Sequence, residues 1–138
     1  MGFLGKNKGG AGTAAATAPA GSTRDRGNAA EDRALAHLQK AGLKLVERNY
    51  RTPGRGGGEI DLIMRERDGT LVFVEVRQRS TAAFGGAGGS IGAVKQARVV
   101  LAARHFLMRW ASPPPCRFDV VLVEPVQLTW LQAAFDAG

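Results

Sequence analysis

The sequence predicts one α/β domain behind an N-terminal tail, and three observations carry that expectation. The chain has 138 residues, a length that suits a single core. Its hydrophobic residues make up 44% and its charged residues 22%, close to the average of globular proteins, which excludes a wholly disordered or fibrous chain. Stretches with helical spacing of apolar residues alternate with runs rich in β-branched residues and bounded by Gly and Pro.

Residues 1–26 are mostly Gly, Ala, Thr and Ser, with too little to bury to offset the entropy of ordering, so a disordered tail is expected before a domain at 27–138. Asn28 followed by Glu31 has the spacing of a capping box, and Leu35, Leu38 and Ala41 keep helical spacing before Gly42, which predicts a first helix over about 29–41. Leu43 to Arg51 reads as a strand, and the Gly- and Pro-rich residues 52–58 as a loop. Glu59–Glu66 and Thr70–Arg77 read as a hairpin around Arg67-Asp68-Gly69, with Gly69 in the left-handed position that closes a three-residue loop. After a flexible loop at 78–89, Ser90 to Trp110 shows helical spacing through Ile91, Val94, Leu101, Ala102 and Phe106. Pro113, Pro114 and Pro115 end any helix, and Arg117–Val123 is apolar and β-branched enough for a largely buried strand. Residues 126–135 fit either a short strand through Trp130 or a closing helical turn.

Nineteen Lys and Arg stand against twelve Asp and Glu, a net charge of +7. The tail carries four cations and one acid, which leaves fifteen against eleven in the domain, so the domain is basic on its own. That balance favours polyanionic partners, nucleic acid ahead of an anionic membrane surface. The longest strongly apolar run, Val99 to Ala103, is far too short to cross a bilayer, and the N-terminus lacks the apolar core of a secretory signal, so a cytoplasmic protein with no membrane partner is expected. Cys116, the only cysteine, cannot form an internal disulfide and is expected as a buried thiol at a strand start. His37 and His105 lack metal-ligand spacing, and the Gly-rich segments at 54–58 and 85–89 lack the pattern of a nucleotide loop.

The hairpin brings acids together. With a three-residue loop, opposed residues have numbers summing to 136, so Asp61 faces Glu75 and Glu59 faces Arg77. Opposed like charges destabilise a sheet unless something neutralises them, and a divalent cation or nearby arginines would do so. Glu31 shares the helical stripe of Leu35 and Leu38; it is either the capping-box acid or a third carboxylate of a cluster suited to Mg²⁺.

AAED in the first helix, followed by NYR, GEIDLI, VFVEVR, KQAR and CRFDVV in this order and spacing, resembles the YraN-type uncharacterised bacterial family of the restriction-endonuclease-like superfamily, over about residues 27–135. The resemblance implies a mixed β-sheet flanked by helices and phosphodiester hydrolysis dependent on Mg²⁺ or Mn²⁺. It also implies Asp61 and Glu75 as metal-binding acids, with Glu31 matching the extra helix acid of resolvase-like members. The superfamily pattern ends Glu-x-Lys, whereas this chain has Glu75-Val76-Arg77. Arginine remains a fixed cation, so Arg77 cannot be a general base, though it can grip a phosphate bidentately. Lys95 is a candidate for a relocated lysine, and Arg79, Lys95 and Arg98 are candidates for contact with nucleic acid, DNA ahead of RNA. The rival functions are a non-catalytic nucleic-acid-binding module and a protein-interaction adaptor with a degenerate site.

Overall fold

A computed structural model of the chain describes residues 23–79 and 91–137. Helix α1 (Thr23–Lys40) precedes strands β1 (Lys44–Arg51), β2 (Glu59–Arg65) and β3 (Leu71–Gln78), then helix α2 (Ala93–Leu107) and strands β4 (Cys116–Val123) and β5 (Leu128–Phe135). The five strands form one mixed sheet in the order β1-β2-β3-β4-β5, antiparallel except between β3 and β4, which α2 connects as a parallel crossover. The ambiguous C-terminal segment is therefore a strand.

One helix covers each face. Ala30, Ala34 and Leu38 of α1 pack with Leu62, Met64, Val72, Val74, Val121 and Val123, while Val99, Ala102, Ala103 and Phe106 of α2 pack with Ile60, Ile63, Leu71, Phe73 and Phe118. Strand alternation explains the split, since successive side chains on β2 and β3 point to opposite faces. β3 is buried on both faces from Leu71 to Glu75, as the middle strand of a covered sheet must be.

Several local readings need correction. α1 starts at Thr23, so Asn28 lies inside the helix and is no N-cap; of the expected tail, residues 1–22 lie outside the described residues and 23–26 are helical. Once Ala30, Ala34 and Leu38 dock, each further helical residue gains a hydrogen bond for little extra ordering, and that carries the helix past Gly27 and Asn28. Ala41 is exposed in the turn after α1. In α2, Val94 is 77% and Leu101 46% exposed, while Val99 and Ala103 face the core instead. Cys116 opens β4 but is exposed. The Gly-rich segment at 85–89 lies outside the described residues.

The loop between β1 and β2 is fastened to α2 by a close approach. Thr52 N–H donates to Gly58 O at 3.1 Å and Gly58 N–H to Thr52 Oγ1 at 2.7 Å. A Cβ added at Gly58 would collide with the Arg98 carbonyl and lie 2.6 Å from Ala102 N, both helix backbone. Gly58→Ala is therefore expected to destabilise the domain by roughly 1–3 kcal/mol, the range for overpacking a core, and a melting temperature equal to wild type would contradict that closeness.

Candidate functional site

The hairpin has the expected register. Leu62–Val74, Ile63–Phe73, Met64–Val72 and Arg65–Leu71 are paired. Glu66 N–H donates to Thr70 O at 2.9 Å, Gly69 N–H donates to Glu66 O at 3.0 Å, and Gly69 has φ +94°. The paired register ends at Leu62–Val74, and just beyond it the Asp61 carboxylate Oδ2 accepts the Val76 N–H at 2.8 Å. Asp61 thus holds the mouth of the hairpin by a side chain where a strand carbonyl would otherwise stand. The paired register stops before Glu59 and Arg77; Glu59 is paired with Arg51 across β1 and reaches α2.

Glu75 is buried beside Asp61, and its Oε1 has no hydrogen-bond partner, while Oε2 lies 3.4 Å from Lys95 Nζ. Lys95, in the first turn of α2, also bonds Glu59 Oε2 at 3.1 Å, and Arg98 Nη2 takes Glu59 Oε1 at 3.1 Å. Glu59 therefore fixes the two helix cations against the acid pair. On the α1 side, Glu31 is mostly buried, accepts Arg48 Nη2 at 3.4 Å and senses Asp61 by charge; Arg48 also pairs with Asp32 at 3.0 Å. Asn49, at φ +52°, supplies Glu31 with a further hydrogen bond.

These contacts set the protonation states. Burial, and then the Asp61 charge with a hydrogen bond to it, pushes Glu75 up to about 8, with Lys95 opposing. Glu75 therefore tends to hold its proton at neutral pH. Burial first, then Asp61, raises Glu31 against the pull of Arg48. Burial alone would raise Glu59, but Lys95, Arg98 and Arg51 hold it below its usual value. Burial works against the charge on Lys95, yet Glu75 and Glu59 raise it on balance, so it is an ammonium at neutral pH.

A carboxyl with a raised folded pKa adds stability fully below its unfolded value of 4.5, and that contribution is lost as pH rises through about 8. Glu75→Gln should thus gain on wild type in melting temperature between pH 5 and 9 in chelator-treated buffer. A difference independent of pH would show that Glu75 titrates normally.

The structure brings together Asp61, Glu75 and Lys95, with Glu31 beside Asp61 and Arg98 behind Glu59. Arg77 is exposed two residues beyond Glu75, and the backbone N–H of Arg79 donates to Val123 O at 2.9 Å. Glu59 was legible only as a strand acid; its role needs α2 in place.

Asp119 also escaped notice, although an acid inside the apolar run of β4 is itself a signal. It is fully buried and accepts from Arg117 Nε, Trp130 Nε1 and the Ala133 N–H, while Arg117 also pairs with Glu66.

Among the described residues, no three His, Cys, Asp or Glu side chains are gathered to hold an ion as a closed cage. The donor set present is two adjacent carboxylates with one buried oxygen lacking a partner, which fits Mg²⁺. That ion is usually held by one or two carboxylates plus substrate phosphates and keeps several waters.

Fold and site together define a mixed α/β protein with a buried glutamate beside a partly buried aspartate at the open end of a β-hairpin, faced by a lysine from the crossover helix. Residues 30–123 match Uncharacterised protein family UPF0102, and the chain belongs to that family. It is 69% identical to a UPF0102 protein of Acidovorax sp. (strain JS42) and 68% identical to one of Paracidovorax citrulli (strain AAC00-1), each over the full length of both chains. With a UPF0102 protein of Verminephrobacter eiseniae (strain EF01-2) it shares 73% identity over 116 residues, 82% of this chain and 79% of that relative. Among the described residues no helix is long and apolar enough to cross a membrane.

Proposed function

We propose that this chain is a nucleic-acid-binding protein of restriction-endonuclease-like fold that hydrolyses phosphodiester bonds with Mg²⁺ or Mn²⁺, acting on DNA in preference to RNA in the cytoplasm. The observation that carries the reading is the orphaned, buried Glu75 Oε1 beside Asp61, with the Lys95 ammonium set against the same carboxylate. A bound divalent ion would supply an acidified water and polarise the phosphate.

The chain's own residues do the rest. Asp61, fixed by the Val76 N–H, and Glu75 would hold the ion, with Glu75 releasing its proton. Lys95 would meet the negative charge that develops on the phosphate, a role that needs its proton and so differs from a general base. Glu31 would support Asp61 from α1. Arg77, Arg79 and Arg98 would take neighbouring phosphates, giving a steep dependence of affinity on salt.

The test is a panel of supercoiled duplex, branched DNA, single-stranded DNA and RNA with Mg²⁺ and with Mn²⁺, run for wild type and Asp61→Asn beside a Mn²⁺ titration. Metal-dependent cleavage lost in Asp61→Asn is expected. Cleavage by neither, with Mn²⁺ binding that depends on Asp61, would leave a binding module descended from a nuclease. Mn²⁺ binding indifferent to Asp61 would end the metal-site reading.

A further inference from the structure

We propose that the closed end of the β2–β3 hairpin carries a second site, formed by Lys44, Arg65 and Arg67, that binds a phosphate group. Lys44 and Arg65 are directly paired across β1 and β2. Opposed residues share a face with Cβ atoms about 4.5–5.5 Å apart, and two cations so placed destabilise the ladder unless an anion lies between them. Arg67, in the hairpin turn, lays its guanidinium over Gly42, with Nε 3.6 Å from where a Cβ would stand. Gly42 has φ +106° and bears no side chain to exclude it.

These residues, with Glu66 and Gly69, line a cavity of about 310 Å³. All three cations are exposed, and none has a carboxylate within ion-pair distance among the described residues. The acid in the lining, Glu66, is already committed to Arg117. Asp68 borders the adjoining cavity with Arg67, and its Oδ1 is occupied by the Thr70 N–H at 2.9 Å. The cavity therefore holds a positive charge without compensation and two planar guanidinium forks, which match phosphate oxygens bidentately.

The phosphate could belong to a nucleic acid or to a free phosphorylated molecule, since the chemistry is shared. Asp61 and Arg65 are four residues apart on one strand, about 13 Å, with Ile63 between them covered by α2, so a nucleic acid chain held at the acid pair would pass around that helix to place a later phosphate at the second site. That choice of source rests on the function proposed above, whereas the preference for phosphate does not.

The experiment compares the full chain with Lys44→Gln/Arg65→Gln in two arms. Pyrophosphate should raise the melting temperature of wild type, and the double variant should lose that response while melting no lower than wild type in anion-free buffer, because it relieves two opposed charges. Lys44→Arg, which keeps the charge, should retain the response. On a 16-bp duplex, the double variant should bind more weakly, with a log–log salt slope shallower by about 1.8, two phosphate contacts' worth.

A pyrophosphate response unchanged in the double variant would overturn the site. A response lost with duplex affinity and slope unchanged would keep the site and assign it to a free phosphorylated ligand. Wild type that answers to pyrophosphate through Lys44 and Arg65 but binds no nucleic acid would keep the site and end the nuclease reading.

Discussion

Lys95→Ala is expected to lower metal-dependent phosphodiester cleavage by roughly 10²–10³, the scale for losing one preorganised electrostatic contact. Lys95 is held by Glu59 at 3.1 Å and Glu75 at 3.4 Å, so its ammonium is already placed beside the carboxylates before any phosphate arrives. Its proton is held by those same acids, which makes it a fixed positive charge. Lys95→Arg should therefore keep most of the rate, with a pH–rate profile parallel to that of wild type. If Lys95→Arg is as slow as Lys95→Ala, a lysine that must lose its proton is required and the electrostatic role is wrong. Arg77→Ala should lose activity on a similar scale and Arg77→Lys should retain it, because that residue also acts through charge. Measuring Lys95 and Arg77 variants side by side decides which cation serves the proposed cleavage.

The second large effect concerns stability and lies away from these acids. Asp119 is fully buried, and Asp119→Ala removes the acceptor of three donors at once: Arg117 Nε, Trp130 Nε1 and the Ala133 N–H. Breaking a buried charged pair by deleting one partner costs about 3–5 kcal/mol, a large share of a typical domain's 5–15 kcal/mol. The melting temperature should fall by about 15 °C, and β5 should lose amide-exchange protection ahead of the rest of the sheet. Asp119→Asn, which keeps a carbonyl acceptor, should be the milder change. A wild-type melting temperature for Asp119→Ala would mean that the network is not fully formed in solution.

What the sequence disclosed follows from the range of the interactions involved. The Asp61–Glu75 approach was legible because a three-residue turn with Gly69 sets the register of everything nearby, and the turn is entirely local. The end of that register before Glu59 was not, because it depends on Asp61 bonding Val76 N–H and on two cations from α2. Lys95 could be read only as a candidate for a relocated lysine; the docking of α2 onto β2 is what sets it against Glu59 and Glu75.

The face of α2 was misjudged at Val94 and Leu101 because seven-residue spacing returns to one side of a helix whether or not that side is buried. The start of α1 was misplaced for a similar reason: a good cap sequence at Asn28 yields to a helix whose buried stripe keeps it ordered further back. The α/β class and the acid pair were thus accessible from local pattern, while the cations that β1 and α2 bring to the neighbouring acids were not.

The irregular outer strands bear on how this protein behaves when crowded. β1 carries a register shift between Leu45 and Glu47 and a left-handed Asn49, and β5 joins β4 with a shift at Phe118/Val120 and a left-handed Ala133. Each disturbs the row of N–H and C=O groups that a straight outer strand would present to a neighbouring chain, and Lys44, Glu47, Arg48 and Arg51 add charge along β1. Neither margin of the sheet offers a flat template for another strand. Copies of this chain brought to high local concentration are therefore guarded against joining edge to edge into fibrils.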